Sequence, residues 1–183
     1  MSRQYFADVL LDPPTLNPLA AAITATSETA LWPVSLFTPI SVGDIRPGKV
    51  YQVKAGGIMS TTTSGTLIIT PRIGVSATAA TNITMGASVT QTVPVSLSGT
   101  AWYLQFTFVI RTVGLAGANS TCIGNGFLQG AGTAATAGSG LDVSFGGTSA
   151  SFDASVAEGL WIGWTLSAAG SCTPEWLVWQ SLN

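Results

Sequence analysis

The segment Trp102–Val113 constrains the fold of this chain more than any other stretch. It contains no Gly, Pro, Asn or Asp, and it is dominated by the aromatic and β-branched residues that suit a packed strand. Successive strand residues point to opposite faces. One face here is wholly apolar, formed by Trp102, Leu104, Phe106, Phe108 and Ile110. The other face is mixed and ends at Arg111. This alternation predicts the central strand of a two-layer β-sandwich.

The remainder of the chain divides into an N-terminal arm, residues 1–30, and a β-sandwich domain, residues 31–183. Three prolines within Asp12–Pro18 argue against a central strand, because proline fixes φ and lacks a backbone donor. We expect the arm to be extended or partly helical. It either orders against a neighbouring subunit or forms a disordered leader. Short apolar segments between Gly-rich turns then predict an all-β, antiparallel, jelly-roll-like sandwich.

Two segments near the start of the domain predict a hairpin. Val50–Thr62 is expected to form the first strand, with a bulge at Gly56-Gly57. Thr66–Val75 is expected to form the second, with Pro71 marking an irregular or edge position.

Three further segments predict loops or turns. Ser76–Val89 is rich in Ala and Thr without a clear period, which predicts a loop. Ala131–Gly140 has low complexity and is expected to be flexible. Gly146-Gly147 lies between two alternating segments and predicts a two-residue hairpin turn.

The chain carries very little charge. Only 8% of its residues are charged, whereas an ordinary domain has about 25%. A surface of Ser, Thr, Gly, Ala and Asn with few charges opposes self-association weakly, so we expect a homo-oligomer or a larger assembly. The net charge of −2 and the lack of a basic cluster argue against nucleic-acid binding. No apolar run approaches the ~18 residues of a membrane span, and the start lacks a signal-peptide core, so we expect neither membrane insertion nor Sec export.

The titratable residues offer little for catalysis. The sequence has no histidine, the commonest general base and metal ligand, and we predict no catalytic, metal-binding or cofactor-binding residues. Asp153 and Glu158 would form a glycosidase pair only if the fold placed them about 5–9 Å apart. With Asp142 they would be candidates for a calcium site. Scattered, solvated carboxylates are the interpretation that we favour.

The two cysteines, Cys122 and Cys172, allow two interpretations. Two buried free thiols are favoured, and a disulfide closing the intervening loop is the alternative. They cannot form a convincing zinc site without histidine.

Tryptophan is abundant, with six residues in 183. Three lie on the more apolar faces of their segments and are expected in the core: Trp102, Trp164 and Trp176. Trp161 and Trp179 are candidates for an exposed interface or a sugar-stacking platform, with packing in the core as the alternative. Arg111 is a further interface candidate, either as a solvated rim residue or in an ion pair between subunits.

Three segments resemble β-sandwich virion proteins of tailed bacteriophages: Gly48–Thr62, Thr66–Arg72 and Pro174–Asn183. The similar proteins are capsid decoration, minor capsid and head-fibre proteins, especially of phages of actinobacteria. The resemblance covers roughly residues 40–183. It implies a jelly-roll-like domain, often trimeric, on the outside of a capsid or tail, with no shared active site.

The leading prediction is therefore a non-enzymatic structural virion protein, either a capsid decoration or a minor capsid protein. We expect a homotrimer that binds the major capsid protein and reinforces its lattice from the exterior, after assembly in the host cytoplasm. The arm would lie along the capsid or a neighbouring subunit. The alternative is a receptor- or carbohydrate-binding module of a tail or head fibre.

Overall fold

The computed structural model of the protein describes most of the domain and parts of the arm. The described residues are 8–11, 22–24, 26–33, 36, 39–76, 78–117, 119–130, 141–167 and 169–182. The predicted flexible segment Ala131–Gly140 lies outside them, so that prediction stays open.

The described chain is nearly all β, as predicted, with two 3₁₀ turns at Val42–Asp44 and Ala79–Thr81. The strands are β1 Asp8–Leu11, β2 Thr29–Ala30, β3 Val50–Thr61, β4 Gly65–Ile73, β5 Ile83–Ala87, β6 Val89–Val93, β7 Thr100–Thr112, β8 Thr121–Gly130, β9 Asp142–Ser149, β10 Leu160–Leu166 and β11 Gly170–Ser181.

These strands form one antiparallel sheet that curls into a jelly-roll-like sandwich. Their order is β1-β11-β3-β7-β8-β9-β5-β4-β10-β2, and β6 also pairs with β4. Strand β5 joins the two layers, because it pairs with β9 on one side and β4 on the other. The layers meet in a continuous apolar core, where Trp102 of β7 packs on Trp164 of β10 with ring centroids 5.4 Å apart.

Strand β7 confirms the predicted central strand. It is bonded to β3 on one edge and to β8 on the other. All five residues of its predicted apolar face are 4% exposed or less, and Arg111 on the other face is exposed. Burial of each of these large side chains stabilises the fold by about 1.5–3 kcal/mol.

The predicted hairpin between β3 and β4 is wrong. Strand β3 pairs with β7 and β11, whereas β4 pairs with β10, β5 and β6, so the Thr62–Ser64 connection crosses between layers. Both strands carry a fully buried apolar face, represented by Val53 in β3 and Ile69 in β4, each 0% exposed. Two strands with such faces bury more apolar area when they lie in opposite layers, with the two faces packed against each other, than when they are neighbours in one layer.

Pro71 occupies an irregular position, as predicted, although its strand is interior. Strand β6 pairs with β4 only as far as Ile69, and β5 pairs with it from Arg72 onwards. The residue opposite Pro71 on β10 is Ile162. The Ile162 carbonyl accepts a hydrogen bond from the Leu31 N–H, on the edge of β10 that faces away from β4. The missing N–H of Pro71 therefore faces the gap between β5 and β6, where no ladder bond is lost.

The predicted bulge at Gly56-Gly57 lies in the partner strand instead. The register shifts between Pro174 and Trp176 of β11, so Glu175 is the additional residue. The glycines allow this close approach, because a Cβ on Gly57 would collide with the carbonyl oxygen of Thr173.

Two loop predictions are also wrong. Ser76–Val89 contains β5, a strand too short for its periodicity to be evident. Gly146-Gly147 lies inside the continuous strand β9. Gly146 has φ +123°, and a Cβ there would collide with the carbonyl oxygen of Gly124. Glycine is therefore needed at this position because two backbones pack closely together, and not because the chain turns.

The described parts of the arm pair with the domain of the same chain. Strand β1 pairs with the outer edge of β11. Ile23 exchanges two backbone hydrogen bonds with Cys172, at 2.7 and 2.9 Å. Strand β2 pairs with the outer edge of β10. The arm thereby covers open edges of both layers, which otherwise expose unpaired backbone groups.

Candidate functional site

The outer face of strands β11, β3, β7 and β8 is the candidate functional surface. Alternation along these strands directs one set of side chains to the core and the other set outward. The outward set forms three groups. An aromatic cluster comprises Trp176, Tyr103 and Phe127; an amide ladder comprises Gln180, Gln52 and Thr107; an aliphatic row comprises Val50, Val109 and Ile123.

The aromatic cluster crosses the surface near the bulge. The Tyr103 ring centroid lies 5.9 Å from that of Trp176 and 5.8 Å from that of Phe127. All three side chains are partly exposed. The Trp176 indole covers Gly56, where a Cβ would lie 2.5 Å from indole Nε1. The glycine therefore lets the indole pack closely on the sheet.

Polar groups surround Tyr103. Its hydroxyl donates a hydrogen bond to Oε1 of Gln105, at 2.9 Å, and burial raises the pKa of this phenol. An open cleft of about 480 Å³ lies beside the ring, and Gln129 and Asp142 contribute to its wall. These two exposed residues are partners in the β8–β9 register.

The amide ladder runs across the middle of the face. Gln180 Nε2 donates to Gln52 Oε1 at 2.8 Å, and Gln52 Nε2 donates to Thr107 Oγ1 at 2.9 Å. These two bonds link the side chains of β11, β3 and β7. They fix the donor and acceptor atoms of the amides and make this part of the surface rigid.

The aliphatic row lies at the other end of the face. Val50, Val109 and Ile123 line an open groove of about 500 Å³, whose floor includes Gly146 and Gly147. Ile123 is 40% exposed. None of the described residues that line this groove is charged. Among the three groups and the residues between them on these four strands, only Lys54 is charged.

Trp161 and Trp179, the predicted interface tryptophans, are core residues. Trp161 is 0% exposed, stacks on Trp32, and donates its indole N–H to the carbonyl oxygen of Gly74 at 3.0 Å. Trp179 is 4% exposed and stacks on Tyr51. Trp179 lies on the core-facing side of β11, where it also contacts the Phe108 ring. Trp161 lies on the face of β10 opposite the core residue Trp164, and the Trp32 ring covers it there.

Trp176, predicted to be a core residue, is instead the partly exposed tryptophan of the outer face. The bulge at Glu175 reverses the alternation of β11 at this point, which directs Leu177 inward and Trp176 outward. Trp102 and Trp164 are buried, as predicted. The sequence signal for the bulge was present in Pro174, but a proline does not indicate which residue is added.

Arg111 lies on the surface at the end of β7. It forms no ion pair within the part of the chain that the structure describes, where Arg72 and Glu28 form the single pair. Its predicted pairing between subunits stays a prediction.

The Glu28–Arg72 pair was not foreseen from the sequence. The Arg72 guanidinium donates from Nε and Nη2 to the two carboxylate oxygens of Glu28, at 2.6 and 2.7 Å, and from Nη1 to the carbonyl oxygen of Asn82 at 2.6 Å. A Cβ on Gly163 would collide with the Glu28 carboxylate. This clamp fixes the end of the arm against β4 and β10.

Cys122 and Cys172 are buried free thiols, and the strand register places them too far apart for a disulfide. Cys172 aligns through Met59 with Thr100 at the start of β7, whereas Cys122 aligns with Ile110 near its end. The separation along β7 is therefore about 30 Å, against the roughly 4.4–6.8 Å between Cα atoms that a disulfide needs. Burial raises the pKa of the Cys122 thiol to about 11.

The acidic residues do not form a calcium site. Asp142 begins β9, while Asp153 and Glu158 follow its other end, and no metal-binding group of three acidic or cysteine residues occurs within the described ranges. Burial, and then the charge of Asp153, raises the pKa of Glu158 to about 7. Hydrogen bonds from Ser155 lower the pKa of the partly exposed Asp153. Glu158 is 5% exposed, so its carboxyl group presents almost no surface to a substrate.

No protein-family model, curated protein or solved structure matches this chain. Among the described residues, no helix is both long and apolar enough to cross a membrane.

Proposed function

We propose that this protein is a non-enzymatic structural subunit that forms a homo-oligomer through the aliphatic row of its outer face. The observation that carries the proposal is the uncharged groove along Val50, Val109 and Ile123. A second copy of the chain is the proposed occupant, because the described lining of the groove carries no charge that would repel a neighbouring subunit. Burial of the row would add the apolar contact that drives association of subunits.

The assembly that we propose is the exterior of a bacteriophage capsid, where the protein would bind the major capsid lattice as a decoration or minor capsid protein. Two observations support this location. One is the resemblance of Gly48–Thr62, Thr66–Arg72 and Pro174–Asn183 to virion proteins. The other is the low charge of the chain, 8% of its residues, which suits a surface buried in an assembly.

Immunogold labelling of purified particles tests the location. We expect label on the shell of intact particles, and loss of label when Ile123→Asp replaces the natural residue. Val75→Asp is the matched control, because Val75 is also exposed, at 58%, but lies outside the outer face. Particles that lack the protein altogether would contradict the proposed location.

A further inference from the structure

The aromatic cluster has a chemistry that oligomerisation does not explain. Its rings are partly exposed, and the Tyr103 hydroxyl, the Gln105 amide, Gln129 and Asp142 surround the central ring with hydrogen-bonding groups. An apolar ring bordered by polar groups is typical of sites that bind a small ligand with both an apolar face and a polar edge.

We propose that the aromatic cluster and its adjoining cleft bind a neutral oligosaccharide. A pyranose ring presents C–H groups on its faces and hydroxyl groups around its edge. The C–H face would stack on Tyr103 and on the solvent side of Trp176. The hydroxyl groups would donate to the Asp142 carboxylate and exchange hydrogen bonds with the Gln129 amide.

The dimensions of the site agree with this ligand class. The ring centroids of Trp176, Tyr103 and Phe127 follow one another at 5.9 and 5.8 Å, so the cluster offers stacking positions to more than one sugar ring. The cleft beside Tyr103 has a volume of about 480 Å³, which is within the usual range for a small-molecule site. Among the described residues of its wall, Asp142 is the single charged one, which favours a ligand without negative charge.

The site is separate from the proposed oligomer contact. Tyr103 and Val109 lie six residues apart on the same face of β7, or about 20 Å along the strand. A sugar on the aromatic cluster and a second subunit on the aliphatic row would therefore not compete. This inference does not depend on the proposed capsid location.

Titration calorimetry with cellotetraose, maltotetraose and chitotetraose as probes tests the site. We expect at least one probe to bind at millimolar or lower concentration. Removal of a stacking ring or of the carboxylate should weaken that binding about tenfold or more. The variants are Tyr103→Ala, Asp142→Ala and Gly56→Ala, the last of which displaces the Trp176 indole through its new Cβ. Ile123→Asp should bind the sugar as the natural chain does, even where it disrupts the oligomer.

Two results would overturn the inference. One is the absence of binding for all three probes. The other is binding that Asp142→Ala and Gly56→Ala leave unchanged, since this would place the sugar elsewhere on the molecule. Asp142 is exposed, so its variant decides the matter even where Tyr103→Ala fails to fold.

Discussion

The Glu28–Arg72 clamp gives the sharpest prediction about how the arm is held. In Glu28→Gln, the amide keeps the shape of the carboxylate but removes its charge. One Gln oxygen can still accept a hydrogen bond, while the amide N–H₂ would face the guanidinium donors. Arg72 would then retain its charge with only the Asn82 carbonyl and one amide oxygen as acceptors.

The expected loss of stability follows from the burial of the pair. Breaking a fully buried ion pair destabilises a protein by about 3–5 kcal/mol, whereas an exposed pair contributes at most about 1 kcal/mol. The Arg72 and Glu28 side chains are 13% and 18% exposed, which is intermediate but close to buried. We therefore expect Glu28→Gln to lower the free energy of unfolding by about 2 kcal/mol, or the melting temperature by about 4–8 °C.

Urea unfolding followed by tryptophan fluorescence measures this change. Glu175→Gln is the matched control, because it removes one carboxylate from a residue that forms no ion pair in the described structure. Hydrogen exchange adds a local readout at the Leu31 amide, which donates to the Ile162 carbonyl at 2.9 Å. A loss no greater than that of Glu175→Gln, with unchanged exchange at Leu31, would refute the clamp.

Two further perturbations test other parts of the structure. Glu158 has a folded-state pKa of about 7 against an ordinary value of 4.5, so the folded state holds this proton more tightly than the unfolded state. The stability that Glu158 contributes is therefore greatest below its ordinary pKa and is lost as the pH rises through about 7, by up to about 3 kcal/mol. Urea midpoints from about pH 5 to pH 8 should show this fall in the natural chain and not in Glu158→Gln, and equal slopes would contradict it. Gly146→Ala combines a positive φ with a collision against Gly124 and should destabilise the fold by about 3 kcal/mol or more. In contrast, Gly43→Ala has open space around it and should change stability by no more than about 0.5 kcal/mol, and equal losses in thermal melts would argue against close packing at Gly146.

The sequence was sufficient for features that depend on a single strand. Strict alternation in Trp102–Val113 predicted both the central position of β7 and the five residues that it buries. Apolar residues at every second position indicate directly that one face of the strand is buried. The all-β, jelly-roll-like class followed from the spacing of short apolar segments between Gly-rich turns.

Features that depend on contacts between distant strands were not evident. Gly146-Gly147 has the composition of a turn, but its glycines accommodate the backbones of β5 and β8. The pairing of β3 with β11 and not with β4 depends on how two apolar faces meet across the core.

The candidate site shows the same limit. One added residue, Glu175, directs Trp176 outward, so the aromatic cluster cannot be located until the register is known. The enclosure of Trp179 depends likewise on the second layer, and that of Trp161 depends on Trp32, which packs against the outer face of β10. When both faces of a strand carry mixed residues, the sequence of that strand does not indicate which face is buried in the folded protein.

The solution mass of the full chain tests the proposed oligomer contact. Light scattering coupled to size exclusion should give a homo-oligomer, expected to be a trimer, for the natural protein and for Val75→Asp. Ile123→Asp should give the mass of one chain, 18.7 kDa, with the β-sheet signal in circular dichroism unchanged. A natural protein that is monomeric, or an oligomer that Ile123→Asp leaves intact, would contradict assembly through the aliphatic row.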